Sequence, residues 1–72
     1  MSVAVKSEIT GKIWKVEAKV GQAVSQDDQI IVIESMKMEI PVLAPTNGVV
    51  REIHVAEGED VKEGQVVAVI GA

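Results

Sequence analysis

Cysteine is absent from this 72-residue sequence, and a single tryptophan is its only aromatic residue. Without cysteine the chain has no disulfide framework, no thiolate metal ligand and no thiol nucleophile. His54 is the only histidine, and no acidic cluster of metal-binding spacing accompanies it, so we expect neither a metal site nor a catalytic residue.

Long hydrophobic runs are also missing. The apolar runs are far shorter than the ~20 residues that a membrane-spanning helix needs, and no signal-peptide pattern is present. We therefore expect a cytoplasmic protein, or one of an organelle lumen such as the mitochondrial matrix. The net charge is −4, without a basic cluster, which argues against binding to nucleic acid or to an anionic membrane.

The apolar residues that are present are mainly Val, Ile and Ala, within a total apolar content of 47%. So many β-branched residues favour strands, and no helical period is sustained anywhere. The length suits one small domain, residues 1–72. We predict an all-β fold with eight short strands, at 3–6, 12–18, 23–24, 29–34, 40–43, 49–55, 60–61 and 66–70.

The chain contains an internal repeat. A shift of 37 residues superimposes turn glycines and apolar strand positions. The identical pairs include Gly11 with Gly48, Gly21 with Gly58, Val24 with Val61, Val32 with Val69 and Ile33 with Ile70. Asp27 takes the slot of Gly64, and Asp tolerates the left-handed conformation better than most residues. We therefore predict a duplicated fold with pseudo-two-fold symmetry and matched glycine turns, and a hairpin at Asn47–Gly48.

Alternation along the strands predicts a core made of both copies. Its expected members are Val16, Ala18, Val24, Ile31, Ile33, Ile53, Val55, Val61, Val67 and Val69.

The junction between the two copies is the most unusual stretch of the sequence. Two strand-like runs meet across residues 34–39, which predicts a hairpin with Lys37 near its tip. Hairpin turns usually contain Gly, Asn or Asp, whereas here a lysine lies between Met36 and Met38 with Glu34 and Glu39 outside them. A lone exposed lysine is normally a solvated charge. The repeat, however, predicts that Lys37 lies at one pole of the domain and both termini at the other.

The motif Glu34-Ser35-Met36-Lys37-Met38 resembles the biotin attachment motif, usually Glu-Ala-Met-Lys-Met, of biotin carboxyl carrier proteins and biotinyl domains. The resemblance extends over residues 3–70 and is greatest to small biotin/lipoyl attachment proteins. It implies a flattened β-barrel of two four-stranded antiparallel sheets, the biotinyl/lipoyl hammerhead fold. Because 16–21 is a short connection, it also implies that the protruding thumb of some bacterial carriers is missing.

The resemblance also implies a function. Lys37 would carry covalent biotin, Met36 and Met38 would be recognition residues, and Glu34 and Ser35 would complete the motif. The domain would be a non-catalytic carrier that shuttles carboxyl between a biotin carboxylase and a carboxyltransferase, after modification by a biotin protein ligase. Ser35 replaces the usual Ala, and this replacement occurs in acyl-CoA carboxylase relatives. The expected enzyme is a biotin-dependent carboxylase of the acyl-CoA type. As an isolated domain it is expected to be monomeric.

Two other functions compete with this hypothesis. Lipoyl domains share the fold and the lysine position, so Lys37 could carry lipoate in a 2-oxoacid dehydrogenase or glycine cleavage system. Met36 and Met38 argue against that alternative, because lipoyl domains typically have Asp-Lys-Ala there. The chain could also be an unmodified β-barrel adaptor, in which the two methionines merely cover the end of a sheet.

Overall fold

A computed structural model describes residues 2–71, and all of their regular secondary structure is β-strand. The strands are β1 (Ser2–Lys6), β2 (Gly11–Val16), β3 (Ala23–Val24), β4 (Gln29–Ser35), β5 (Met38–Leu43), β6 (Gly48–Ile53), β7 (Asp60–Val61) and β8 (Val66–Gly71). The eight predicted strands are confirmed, with ends displaced by a few residues. As expected for a proline-containing strand, β5 lies at the edge of its sheet.

The strands form two four-stranded antiparallel sheets. One sheet has the order β1-β8-β6-β3 and the other β5-β4-β2-β7. Of the strands that are consecutive in sequence, β4 and β5 alone are paired with each other within the described chain. The predicted hairpin at Asn47–Gly48 is therefore wrong, because that segment passes from β5 in one sheet to β6 in the other. The sandwich of two four-stranded sheets is confirmed.

The pseudo-two-fold symmetry extends to individual backbone hydrogen bonds. A shift of 37 residues carries β2 onto β6 and β3 onto β7, residue for residue. The Gly21 N–H donates to the Val50 carbonyl at 2.7 Å, and the Gly58 N–H donates to the Ile13 carbonyl at 2.8 Å. Both glycines have positive φ, 93° and 89°. The duplication predicted from turn glycines is thus present as matched backbone geometry.

The second glycine pair is matched for a different reason. Gly11 and Gly48 begin β2 and β6, and their φ angles lie outside the left-handed region. A Cβ on Gly11 would stand 2.5 Å from the Glu34 carbonyl oxygen, and one on Gly48 would meet the Gly71 carbonyl oxygen in the same way. These glycines therefore permit two strands to approach closely, and they are not turn residues.

Four β-bulges decide which side chains face the core. β2 shifts register between Ile13 and Lys15, and β6 does so between Val50 and Glu52. The other pair of shifts leaves Ile30 of β4 and Val67 of β8 as extra residues. Each bulge inserts one residue and reverses the alternation beyond it.

The core predicted by simple alternation is therefore only partly correct. Predicted members that are buried in the core are Ala18, Val24, Ile31, Ile33, Val55, Val61 and Val67. Val16 and Ile53 are half-buried against the core, and Val69 is half-buried opposite Ala4 and Glu52. The core also contains residues outside that expected set, namely Val5, Ile13, Ile30, Ala44, Val50, Ala68 and Ile70.

The domain is elongated, with extents of 33 × 17 × 17 Å, and the β4–β5 hairpin ends in the turn between Ser35 and Met38. The base of that hairpin leads through residues 44–47 to Gly48, which packs against Gly71, and Gly71 is paired with Ser2. The two ends of the described chain are thus neighbours, in the sheet that does not contain the β4–β5 hairpin. Met1 and Ala72 themselves, for which the prediction was made, lie outside the described residues.

Candidate functional site at the β4–β5 turn

The β4–β5 hairpin closes with a two-residue turn whose backbone is strained. Ser35 and Met38 form the last strand pair, so Met36 and Lys37 are the two central residues. Their φ angles are +53° and +64°, which in a two-residue hairpin loop defines a type I′ turn. Positive φ costs an ordinary L-residue about 1–2 kcal/mol. Strain of this kind concentrates at functional sites.

The side chains of the turn project into solvent. Met36 is 92% exposed, Met38 is 62% exposed, and Lys37 is exposed between them. Lys37 makes no ion pair with the flanking Glu34 or Glu39 in the described structure. The amine is therefore available to an approaching partner, and the two methionines offer an apolar rim around it.

The acidic residues that flank the turn lie side by side below it. Glu34 and Glu39 are directly paired across β4 and β5, and Lys12 of β2 is paired with Glu34 on its other side. Like charges opposite each other destabilise a strand pair, and a neighbouring opposite charge offsets this. All three side chains are exposed, so solvent screens the charges.

A hydrogen bond connects the hairpin end to the loop between β1 and β2. Ser35 Oγ donates to the Thr10 carbonyl oxygen at 3.1 Å. In turn, Thr10 Oγ1 accepts a hydrogen bond from the Glu63 backbone N–H at 3.1 Å. No sequence pattern indicates the role of Thr10, because its partner lies 25 residues away along the chain.

The five residues singled out from the motif lie together at this tip. Glu34 and Ser35 end β4, Met36 and Lys37 form the turn, and Met38 begins β5. Their proximity follows from sequence adjacency and is no test of their roles. The structure adds the left-handed conformation of Met36 and Lys37, which places both side chains at the extreme end of the hairpin.

Other features of the surface lie apart from the turn. His54 Nε2 lies 2.8 Å from Glu52 Oε1 in an exposed pair at the end of β6. Residues 2–71 contain no group of three or more His, Cys, Asp or Glu residues arranged to hold a metal ion. An open groove of about 380 Å³ lies between β5 and the loop after β1, and residues 34–39 do not line it. Residues 2–71 form no helix that could span a membrane.

The geometry of the turn fits a group attached covalently through an amide. The attachment needs a primary amine that a second protein can surround, and Lys37 supplies one at the most protruding point of the β4–β5 hairpin. The neighbouring side chains of Met36 and Met38 are exposed, so they leave the amine accessible. Lys37 would hold the group, and the two sheets would supply a rigid base for it.

Comparison with known proteins places the chain among biotin-carrying domains. A family model described as "Biotin-requiring enzyme" matches residues 1–70. The chain is 39% identical over 64 residues to the biotin/lipoyl attachment protein of Bacillus subtilis (strain 168), covering 89% of this chain and 88% of the relative. It is 37% identical over 70 residues to the biotinylated protein TB7.3 homolog of Mycobacterium leprae (strain TN), covering 97% and 99%.

A much larger enzyme contains the same fold. The crystal structure of the Kluyveromyces lactis urea carboxylase superimposes with a TM-score of 0.94 and 41% identity, covering 99% of this chain and 6% of that one. The chain thus spans nearly all of its small relatives and a small part of this carboxylase. Together the matches support covalently attached biotin as the cofactor and a carboxyl-carrier role. From the family match over residues 1–70, and from a fold shared with a carboxylase, it follows that this chain belongs to the biotin-requiring enzyme family and is a biotinyl domain.

Proposed function

We propose that Lys37 is the biotin attachment residue and that the domain is a non-catalytic carrier of carboxyl groups. The observation that carries this proposal is the position of Lys37, which lies exposed in the type I′ turn between β4 and β5. In residues 2–71 these are the only two strands that are consecutive in sequence and also paired with each other.

Attachment requires chemistry that the ligase must supply. Primary alkylamines are mostly protonated at neutral pH, and the protonated form is not nucleophilic. The ligase must therefore accept a proton from the lysine and present an activated acyl donor, as in a biotinyl-adenylate route. Lys37 Nζ then forms an amide bond with the valerate carbonyl carbon, while the bond between that carbon and the phosphate oxygen of AMP breaks.

The domain's own contribution to carboxyl transfer is mechanical. Biotin supplies a ureido nitrogen that can accept and donate a carboxyl group. The two sheets hold the β4–β5 hairpin as a rigid base, and the long Lys37 side chain gives reach. Linking a reactant to a carrier raises its effective concentration at each active site that the carrier visits. A compact barrel with one protruding hairpin suits that task.

The methionines suit repeated contacts with different partner surfaces. Their side chains are unbranched and polarizable, so they adapt to more than one surface. Met36 and Met38 are both exposed beside Lys37, so they bury no core area that would explain them. Glu34 and Ser35 complete the motif by fixing the end of β4. We assign the methionines to recognition by the carboxylase partners more than by the ligase.

The partners follow from the function. Biotin carboxylase and carboxyltransferase are the enzymes between which such a carrier works, and the proposed enzyme is a carboxylase of the acyl-CoA type. A biotin protein ligase performs the attachment. We expect the isolated domain to be monomeric and to work in the cytoplasm, or in the mitochondrial matrix of a eukaryote. Lipoate on Lys37 is the competing modification.

Co-expression with a biotin protein ligase tests the attachment site. Lys37→Arg should fold normally and accept no biotin, because a guanidinium is delocalised, always charged and not nucleophilic. Lys12→Arg is the matched control, since Lys12 is also exposed and lies on β2 beside Glu34. It should be biotinylated like the wild type. Streptavidin-reactive Lys37→Arg protein would remove Lys37 as the attachment point.

A further inference from the structure

Ser35 occupies the position immediately before the two left-handed residues of the turn. It is the last residue of β4, and its Oγ donates to the Thr10 carbonyl oxygen at 3.1 Å. The bond joins the end of the hairpin to the loop between β1 and β2. Alanine, the usual residue of the motif that this sequence resembles, has no hydroxyl and cannot form it.

The loop that accepts this bond is itself held in place. Thr10 Oγ1 accepts from the Glu63 N–H, and Ser7, which is only 1% exposed, accepts from the Gly64 N–H at 2.8 Å through its carbonyl oxygen. The Ser7 N–H donates to the Gln65 carbonyl oxygen at 2.9 Å. The loop is therefore fastened to the turn between β7 and β8. A hydrogen bond to Thr10 thus fastens Ser35 to a fixed point.

Close packing beside Ser35 restricts its movement further. A Cβ on Gly11 would come within 3.2 Å of Ser35 Cβ and 2.5 Å of the Glu34 carbonyl oxygen. The start of β2 therefore lies directly against the end of β4. The residues before the turn are held by packing and by the hydrogen bond of the Ser35 hydroxyl. The side chains of Met36 and Lys37, by contrast, are exposed and do not hold the turn in place.

We propose that Ser35 is a positioning residue for biotin attachment. Its hydrogen bond to the Thr10 carbonyl increases the fraction of molecules whose turn holds Met36 and Lys37 at positive φ, and so presents the amine in one place. This inference rests on the proposed role of Lys37. A partner that binds only the competent conformer has its apparent affinity reduced by the fraction in which that conformer is populated.

Kinetics of biotinylation by a biotin protein ligase test the inference with three variants. Ser35→Ala removes the donor, Ser35→Thr keeps a hydroxyl on a strand-favouring side chain, and Ser25→Ala is the control. Ser25 is exposed, and its hydrogen bond to Asp28 uses the backbone N–H. Loss of one ordinary hydrogen bond should raise the KM of Ser35→Ala by about three- to tenfold with kcat unchanged. Ser35→Thr and Ser25→Ala should match the wild type.

A second measurement reports the turn without any ligase. Backbone scalar couplings of Met36 and Lys37 in solution report φ, and they should shift toward negative-φ averages in Ser35→Ala alone. Unchanged couplings and KM in Ser35→Ala, a fall in kcat instead of a rise in KM, or failure of Ser35→Thr to restore wild-type behaviour would each overturn the inference. Absence of biotin on wild-type Lys37 would instead refute the proposed function, and the couplings would still decide whether Ser35 holds the turn.

Discussion

The strained turn at Met36 and Lys37 should make the wild-type domain less stable than a variant with ideal turn residues. Each residue with positive φ costs about 1–2 kcal/mol unless it is Gly or, in part, Asn. Asn-Gly is the favoured pair for a type I′ turn. The double variant Met36→Asn/Lys37→Gly loses little buried area, because both side chains are exposed. The added flexibility of glycine in the unfolded chain reduces this gain in stability by about 0.5–1 kcal/mol.

The net expectation is a stabilisation of about 1–2 kcal/mol, and each kcal/mol raises Tm by about 4–8 °C for a domain of this size. Thermal and chemical denaturation would measure it. Met38→Asn is the control, because Met38 lies in β5 and is not among the residues with positive φ. That variant should be neutral or destabilised, since Asn is unfavourable in strands. A double variant no more stable than the wild type would show that the turn stores no strain.

Three further predictions concern the fold and the site. Gly21→Ala and Gly58→Ala should each lower the free energy of unfolding by about 1–2 kcal/mol and to a similar extent, because both sites have positive φ and open surroundings; clearly different denaturation midpoints would contradict the matched geometry. Gly11→Ala should cost about 1–3 kcal/mol through the clash with a backbone oxygen, so an unchanged midpoint would mean that the strands separate freely. Met36→Lys combined with Lys37→Met should abolish biotinylation by moving the amine one place along the turn, and modification at the wild-type rate would show that register is not read.

The sequence was sufficient to predict the strands, the symmetry and the hairpin. β-Branched runs separated by turn residues located all eight strands, because these signals are local. The repeat succeeded because both copies use the same backbone: Asp27, at φ 74°, does stand in the slot of Gly64, at φ 86°. A local pattern repeated twice carries more information than either copy alone.

The bulges could not be predicted, and they account for the errors in the core. Strict alternation puts Trp14 and Val16 on the same face, but the bulge at Trp14 leaves Ile13 buried and Trp14 47% exposed. Trp14 lies on β2, which is an inner strand of its sheet. At the symmetry-related bulge of β6, Arg51 takes the position that Trp14 has in β2. These two residue types have no feature in common. An inserted residue shows only in the pairing of strands that are distant in sequence.

The sequence predicted which residues form the hairpin tip, but it did not predict their backbone geometry. The resemblance indicated Lys37 directly as the attachment residue. Nothing in the sequence predicts positive φ at Met36 and Lys37, because neither residue type favours it. The bond from Ser35 to Thr10 was equally invisible, since it depends on how the β1–β2 loop folds over the end of β4. Local propensities were overridden there by contacts from the rest of the fold.

Peptide-level mass spectrometry of the wild-type domain tests the central claim most directly. The protein would be produced with biotin and lipoate both supplied, together with a biotin protein ligase and a lipoate ligase, and then digested. The account predicts one modified peptide, with biotin in amide linkage on Lys37 and every other lysine free. Lipoate on Lys37, biotin on a different lysine, or a domain that remains unmodified would contradict it.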